Sequence, residues 1–246
     1  TLYDPATGAF FGSQDADETY YPLPEEERAL RETPSVDRTI FSEYNGKAVS
    51  GLVAAHRAFG APAAGGGDSL LARAERLGSF LRERMASLEA GVARYLAPPG
   101  EEGKAPRRWL ADHAAVATAY LDLHDATGKG EYLRWAEETL SDAISRLYRP
   151  EAAGFVDRLP SGADFGELSR PLYPFAPNAH IASALLRCAR TTGREDLFTI
   201  GVRTLCGLSA EFDRRGAFAA PYGSALLLYT KGNPGTACLP GDPACS

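Results

Sequence analysis

The chain lacks the motifs and the composition that mark several common functional classes. It has no CxxC pair, HExxH helix, G-x-S-x-G elbow or Gly-rich phosphate loop, so structural zinc, serine hydrolysis and nucleotide use have no sequence support. No basic run occurs and the formal net charge is −6, which argues against nucleic acid as a partner. No apolar run reaches the roughly 18 residues of a membrane span, and no signal peptide is recognisable. We predict no cofactor, no metal and no membrane partner; the location stays open, with the cytoplasm favoured.

Cysteine is scarce, with four residues in 246. Cys188 and Cys206 fall in apolar segments of helical periodicity and are predicted to be inert core thiols. Cys238 and Cys245 flank a segment rich in Pro and Gly, where a local disulfide and an unpaired tail are both open. The cellular compartment depends on which state the tail adopts.

A short phrase occurs twice. Leu2-Tyr3-Asp4-Pro5 leads into Gly8-Ala9-Phe10-Phe11, and Leu147-Tyr148-Arg149-Pro150 leads into Ala153-Gly154-Phe155-Val156. The second copy follows a predicted helical hairpin and begins a turn. We expect the first copy to have the same place, with the hairpin that it closes lying before Thr1. The chain then is a slice of a larger repeat protein.

Three segments share one plan of helix, turn, second helix and loop. The hairpins lie near 46–90, 112–148 and 179–212. Their first helices end at Gly60, Gly128 and Gly193, which suit a left-handed position after the helix. These helices open on Asn45, Asp112 and Asn178, at spacings of 67 and 66 residues.

The composition of the two helices in each hairpin predicts the fold class. First helices are rich in Ala, Val, Leu and Gly, as helices with neighbours on all sides must be, whereas second helices have one polar face. Inner helices surrounded by outer helices predict an all-α fold, an α/α toroid of the six-hairpin glycosidase type with about three hairpins present. Residues 1–232 form this partial ring, and 233–246 are an irregular tail.

Three ordered motifs carry a family resemblance. They are Gly-Ser-Gln-Asp-Ala-Asp at 12–17 with Tyr20-Tyr21, Ser42-Glu43-Tyr44-Asn45-Gly46-Lys47, and Leu110-Ala111-Asp112-His113-Ala114. Together they resemble the YyaL / spermatogenesis-associated thioredoxin-like family over most of residues 8–230. The resemblance implies an N-terminal thioredoxin-like domain in the full-length protein. It also implies a C-terminal six-hairpin toroid similar to N-acylglucosamine 2-epimerases and glycosidases, of which this chain is the later part.

Polar residues at the helix starts are the strongest candidates for a site. If the hairpins form a ring, Asn45, Asp112, His113, Asn178 and His180 converge at one mouth, where helix N-termini face a common cavity. Sugars need such a mixture of donors, acceptors and an acid/base group near neutral pKa. Asn and Asp are also preferred helix caps, and capping alone explains them equally well. The two histidines are either a two-sided acid/base pair or first-turn residues with ordinary hydrogen bonds.

A second candidate set lies in the loops. Asp15 and Asp17 form an acidic cluster that suits a glycosidase-type carboxyl pair, oxygen ligands for a cation, or a solvated turn. Tyr44, Trp109 and Tyr173 are candidate sugar-stacking residues, although loop aromatics also cover the ends of a core. Arg170 completes the candidate binding residues.

Two functions fit these residues. In the first, the mouth binds a small carbohydrate and isomerises, epimerises or hydrolyses it, with Asp112, His113, His180, Asp15 and Asp17 as candidate catalytic groups. In the second, the chain is a non-catalytic helical scaffold or ligand-binding module beside the thioredoxin-like domain. Because an incomplete ring exposes the apolar flanks of its end hairpins, we also expect self-association.

Overall fold

The computed structural model describes residues 2–60, 68–87, 91–98, 100–101, 109–162 and 164–232. These residues form nine α-helices: α1 Glu25–Arg28, α2 Ser42–Phe59, α3 Leu70–Arg84, α4 Leu110–Thr127, α5 Gly130–Leu147, α6 Phe175–Thr192, α7 Glu195–Leu208, α8 Phe212–Arg215 and α9 Ala220–Gly232. They also form eight two-residue strands: β1 Ser13–Gln14, β2 Val36–Asp37, β3 Ile40–Phe41, β4 Ala86–Ser87, β5 Gly91–Val92, β6 Tyr95–Leu96, β7 Tyr148–Arg149 and β8 Gly154–Phe155. The predicted tail 233–246, with its open question of a Cys238–Cys245 disulfide, lies outside the described residues.

Three helical hairpins, α2–α3, α4–α5 and α6–α7, stand side by side. The first helices α2, α4 and α6 pack on one another in order, and α9 packs on α6, so these four helices form one inner layer. The outer helices α3, α5 and α7 each pack on their own partner and on the next inner helix. This arrangement confirms the predicted all-α partial toroid and adds one inner helix, α9, to it.

The sequences of α4 and α5 show why one helix is inner and the other outer. In α4, ten of the 18 residues are buried, because α2 and α6 flank it and outer helices cover it. In α5, Tyr132, Ala136 and Leu140 recur every four residues and are buried, whereas Arg134 and Ser141 on the opposite side are exposed. A uniformly apolar helix therefore enters the inner layer, and an amphipathic one covers it.

The inner helices begin earlier than predicted. They start at Ser42, Leu110 and Phe175, two to four residues before the predicted starts near 46, 112 and 179. The preceding residues Phe41, Trp109 and Pro174 make no side-chain capping hydrogen bond. The prediction that Asn45, Asp112 and Asn178 open these helices was wrong, because each lies third or fourth within its helix.

The helix ends follow the glycine signals more closely. Gly128 and Gly193 have φ of 70° and 74° with ψ near zero, the left-handed conformation that was predicted. Gly60 also has a positive φ of 73°, but its ψ of −163° is not that of a left-handed cap, so the prediction was wrong there. α3 stops at Arg84 instead of reaching 90, because the chain turns into β4, which pairs with β5.

Both copies of the repeated phrase form the same turn, and the second copy closes the outer helix α5. Tyr3 pairs with Phe10 and Tyr148 with Phe155 in antiparallel bridges, with ring centroids 5.4 and 5.0 Å apart. One further backbone bond closes each turn, from Phe11 N to Leu2 O at 2.8 Å and from Val156 N to Leu147 O at 3.0 Å.

A third copy of this turn follows α3. Ala93 N donates to Met85 O at 2.8 Å, in the same place as the closing bonds of the other two turns. Its sequence begins Met85-Ala86 where the others begin Leu-Tyr, and the loop is one residue shorter. For this reason the sequence revealed two copies of the turn, whereas the described residues contain three.

One position in this turn carries strain. Ala153 has φ of 46°, the only positive φ at a non-glycine residue among those described, and the equivalent residue of the first copy is Gly8 with φ of 79°. We therefore expect Ala153→Gly to raise the free energy of unfolding by about 0.5–1 kcal/mol, measured by urea denaturation. The control Ala152→Gly lies one residue earlier at negative φ and should lower it. Equal effects of both substitutions would contradict the strain argument.

The cysteines differ from their prediction. Cys188 is a buried free thiol, as predicted, and burial raises its pKa to about 11. Cys206, predicted to be a core thiol, is instead disulfide-bonded, and it is only partly buried near the end of α7. The prediction was wrong because helical periodicity reports burial and says nothing about which sulfur lies nearby.

Candidate functional site at the starts of the inner helices

The starts of α2, α4 and α6 enclose a cavity of about 320 Å³. Its lining residues are Glu43, Lys47, Ser50, Ala111, Ala114, Ala115, Thr118, Ala176, Pro177 and His180. Small-molecule sites have volumes of roughly 300–1,000 Å³, with a few polar groups on a mostly apolar wall. Small alanine side chains leave this space open, the charged Glu43 and Lys47 come from α2, and the titratable His180 comes from α6.

The lining follows the helical period. In each inner helix the second, sixth and ninth residues lie on one side, because positions i, i+4 and i+7 share a helix face. These residues are Glu43, Lys47 and Ser50 of α2, Ala111, Ala115 and Thr118 of α4, and Ala176 and His180 of α6. Lys47, Ala115 and His180 thus occupy equivalent positions. The three hairpins share one backbone arrangement but present different side chains to the cavity.

Three charged or titratable side chains face each other across this cavity. Glu43 Oε1 and Lys47 Nζ form an ion pair of 2.6 Å along α2. His180 is exposed by its surface area, yet desolvation by the surrounding atoms and the positive charge of Lys47 lower its pKa, against the opposing effect of Glu43. The imidazole is therefore neutral at pH 7 and has one nitrogen to accept and one to donate.

Asn45 and Asn178 do not face the cavity, contrary to the prediction that they bind substrate. Both are at most 1% exposed, and both clasp the backbone of the preceding turn. Asn178 accepts from Phe155 N at 2.7 Å and donates to Phe155 O at 2.9 Å. Asn45 accepts from Phe10 N at 2.8 Å and donates to Phe10 O at 3.0 Å. Each amide thus satisfies a peptide group that the turn leaves unpaired.

His113 occupies the same place in α4. Like the two asparagines it is the fourth residue of its helix and bonds the carbonyl four residues back, here Trp109 O at 2.9 Å. Its Nε2 lies 2.8 Å from Asp142 Oδ2 of α5 and 3.5 Å from Val92 N of the preceding turn. The structural repeat therefore runs through Asn45, His113 and Asn178, at spacings of 68 and 65 residues.

This placement corrects two predictions. Asp112 was aligned with the asparagines, but the hydrogen bonds show that its neighbour His113 is the equivalent residue. For His113 and His180 two alternatives were open, an acid/base pair facing one cavity and first-turn residues with ordinary hydrogen bonds. His113 is fully buried and points toward α5, whereas His180 lines the cavity, so the pair is not assembled.

Asp112 lies behind the cavity wall. Its Oδ1 accepts from Glu43 N at 3.1 Å, and its Oδ2 lies 3.3 Å from Arg94 Nη1. The Arg94 guanidinium stacks over the Trp109 ring with its central carbon 4.3 Å from the centroid. Trp109 therefore orients Arg94 and does not reach the cavity, contrary to its predicted role in stacking on a sugar.

Asp15 and Asp17 have local partners only. Asp15 accepts from Ala16 N at 3.0 Å and from the Tyr21 hydroxyl, and Asp17 accepts from Thr19 N at 2.9 Å and from the Thr19 hydroxyl. The hydrogen bonds from Thr19 lower the pKa of Asp17. Both carboxylates are exposed, as in the solvated turn that was one of the three predicted interpretations. In the described residues no group of three or more His, Cys, Asp or Glu side chains is arranged to hold a metal ion.

The other candidate binding residues lie outside the cavity lining. Tyr44 is 53% exposed and packs on Phe41 at 5.2 Å between centroids, and Tyr173 is 37% exposed. Arg170 pairs with Glu167 at 2.9 Å and lines a separate cavity of about 250 Å³. Of the predicted site residues, only His180 lies in the 320 Å³ cavity.

Sequence reasoning missed Glu43, Lys47, Ser50 and Thr118. Glu43 and Lys47 lie four residues apart on either side of the predicted Asn45, a spacing that itself indicates a shared helix face. A search along i, i+4 and i+7 from the second residue of each inner helix would have found all four. Within the described part of the chain, no helix has the length and apolar character that crossing a membrane requires.

Comparison with known proteins supports the same fold. No protein-family model matches the chain. In sequence it is 28% identical to spermatogenesis-associated protein 20 of Mus musculus over 198 residues, which are 76% of this chain and 24% of that protein. In structure it resembles cellobiose 2-epimerase from Bacillus thermoamylovorans, with a TM-score of 0.66 and 13% identity, over 95% of this chain and 63% of that one.

A second structural match is to a glycoside hydrolase. The GH76 α-mannanase of Bacteroides thetaiotaomicron has a TM-score of 0.63 and 15% identity, over 82% of this chain and 54% of that chain. This chain therefore spans about a quarter of the curated relative and less than two thirds of either solved structure. The matches confirm the predicted recognition: the chain resembles spermatogenesis-associated protein 20 in sequence and has the α/α-toroid fold of sugar epimerases and family 76 mannanases.

Proposed function

We propose that the cavity at the starts of α2, α4 and α6 binds a carbohydrate and that His180 supplies its acid/base group. The observation that carries this proposal is the convergence of Glu43, Lys47 and His180 on one 320 Å³ cavity with alanine walls. The fold shared with proteins named as a sugar epimerase and an α-mannanase supports the choice of ligand class.

The groups in the cavity favour proton transfer over hydrolysis. Most glycosidases need two carboxyl groups flanking the scissile bond, one as acid and one as base or nucleophile. Within the described residues this cavity has one carboxylate, Glu43, and one neutral imidazole, His180. Epimerisation or isomerisation requires a base to remove a proton next to a carbonyl, and His180 is the neutral base that this cavity offers.

In this proposal each cavity residue has a defined task. His180 accepts the proton, and the Glu43–Lys47 pair binds sugar hydroxyls through one acceptor and one donor group. Ser50 and Thr118 provide further hydroxyls one turn deeper along α2 and α4. Because His180 acts in its neutral form and burial and Lys47 lower its pKa, activity should persist at pH 6.5, where an ordinary histidine is about half protonated, and should fall at more acidic pH.

A non-catalytic ligand-binding module is the second candidate. It is favoured by the fact that Asp112, His113, Asp15 and Asp17, all predicted to be catalytic, bond to other protein groups and do not line the cavity. Under both candidate functions we propose that a thioredoxin-like domain, as the family resemblance implies, accompanies this chain in the full-length protein. Self-association of the chain likewise stays a prediction.

A substitution at His180 separates these candidates. We expect His180→Gln to weaken binding of monosaccharides such as glucose, mannose and N-acetylglucosamine about tenfold and to abolish any epimerisation, because one charge-neutral hydrogen-bonding base is lost. Binding is measured by calorimetry and turnover by NMR of the sugar in deuterated water. His124→Gln is the control, since His124 lies at the opposite end of α4 and bonds Lys129 O at 3.1 Å.

The outcomes are distinct. Sugar binding without proton exchange in the unsubstituted protein would support the binding module. Equal binding by His180→Gln and the unsubstituted protein would contradict the proposed site.

A further inference from the structure

Among the described residues, Asp112 is the buried carboxylate that touches the cavity wall from behind. It is completely buried, and its carboxylate accepts a hydrogen bond from the backbone N–H of Glu43 at 3.1 Å. Glu43 is the second residue of α2, where backbone N–H groups have no partner inside the helix. The residue that precedes α2, Phe41, has no side chain able to cap it. Asp112 of the neighbouring helix therefore caps the start of α2.

The same contact ties Asp112 to a cavity side chain. Since Asp112 fixes the backbone of Glu43, it determines where the Glu43 carboxylate stands at the mouth. The charged and titratable groups facing Asp112 are Glu43 from α2, Arg94 from the segment before β6, and His113 on α4 itself. Of these, Arg94 is the direct counter-ion, held at 3.3 Å from Asp112 Oδ2 with its guanidinium over Trp109.

We infer that Asp112 is a positioning residue for Glu43 and that the two carboxyl groups are coupled, so that the charge on Asp112 sets the electrostatics of the cavity mouth. Its positioning role at the sugar site rests on the proposed function. The coupling between the two carboxyl groups does not.

Electrostatics supports the coupling. Burial raises the pKa of Asp112 to about 7, Arg94 opposes this rise, and the negative charge of Glu43 adds to it. The carboxyl group therefore changes charge within the physiological range, next to a backbone amide that it must bond. Below this pKa the group behind the mouth is neutral. Above it, a second negative charge joins Glu43.

The test follows the Asp112 carboxyl carbon by NMR during a pH titration without any ligand. We expect Glu43→Gln to move the Asp112 midpoint toward acid by about half a pH unit, because a like charge is removed. Arg94→Gln should move it toward alkali, because the counter-ion is removed. Glu75→Gln is the control: this carboxylate on α3 bonds Lys129 and Tyr132 and should leave the midpoint unchanged.

Binding separates positioning from charge. Asp112→Asn keeps an oxygen acceptor for Glu43 N–H but has no charge, so it should retain sugar affinity while losing the part of its pH dependence near neutrality. Asp112→Ala removes the acceptor for Glu43 N–H and should weaken sugar binding. An Asp112 midpoint that moves in neither Glu43→Gln nor Arg94→Gln overturns the coupling. Failure of every variant and of the unsubstituted protein to bind sugar, with the midpoints shifting as expected, would overturn the proposed function alone.

Discussion

Replacing Asn178 by Ala should lower the free energy of unfolding by about 4 kcal/mol, a large share of a typical domain's stability. Asn178 is 1% exposed and bonds both the N–H and the C=O of Phe155. Phe155 is itself fully buried, so neither group gains water when the amide is removed. Each buried group left without a partner costs about 1–3 kcal/mol.

Urea denaturation followed by circular dichroism measures this effect. Asn178→Asp is the matched variant, because it keeps the acceptor for Phe155 N and loses the donor to Phe155 O. Asn45→Ala tests the equivalent position and should cost less, since the Phe10 groups that Asn45 bonds are only partly buried. A loss of under 1 kcal/mol for Asn178→Ala would show that the clasp is not needed.

Adding a single methyl group at Gly46 should lower the free energy of unfolding by about 3 kcal/mol, the upper part of the range for overpacking. A Cβ at this position would lie 2.8 Å from the carbonyl carbon and 2.9 Å from the oxygen of Ala115 on α4. Both are backbone atoms, so no side chain can move aside and α2 must shift away from α4. The cavity between these helices would change shape as well.

Gly51→Ala in the same helix is the control for Gly46→Ala. A Cβ at Gly51 meets nothing within 4 Å, so the substitution should raise stability by about 0.5–1 kcal/mol through helix propensity. Thermal and urea unfolding of the two variants should therefore change in opposite directions. Stabilisation by both substitutions would show that α2 and α4 are not held at this separation.

The fold was predictable because its signals are repetitive. The apolar character of the first helices, the amphipathic second helices and the turn glycines Gly128 and Gly193 each recur, and each has a simple physical meaning. α9 escaped prediction because the pattern was searched as pairs of helices, and Ala220–Gly232 was not paired with a second periodic segment. The third turn was missed because its sequence differs: Met85-Ala86 occupies the positions that Leu-Tyr occupies in the other two turns.

The site was much less predictable. Asn and Asp are chemically similar, so Asp112 was aligned with Asn45 and Asn178 in preference to its neighbour His113. The true equivalence depends on a shared geometry, a side-chain nitrogen near the carbonyl four residues back, which composition does not reveal. Because of this one-residue error, the buried residues Asn45 and Asn178 were predicted to line the cavity. Glu43 and Lys47 were passed over for the same reason.

The clasps of His113 and Asn178 have a further consequence for how the molecule comes apart. Asn178 joins the start of the third hairpin to the closing turn of the second through the N–H and C=O of Phe155. His113 bonds Asp142 of its own outer helix, and its Nε2 lies 3.5 Å from Val92 N in the closing turn of the first hairpin. In stacked repeats, cooperativity depends on the ratio of interface energy to the stability of each repeat. Polar contacts between neighbouring hairpins raise the interface energy relative to the stability of a single hairpin. The hairpins should therefore unfold together in one transition. Hydrogen exchange should then give neighbouring inner helices similar opening free energies, whereas an unclasped junction would let each hairpin open alone.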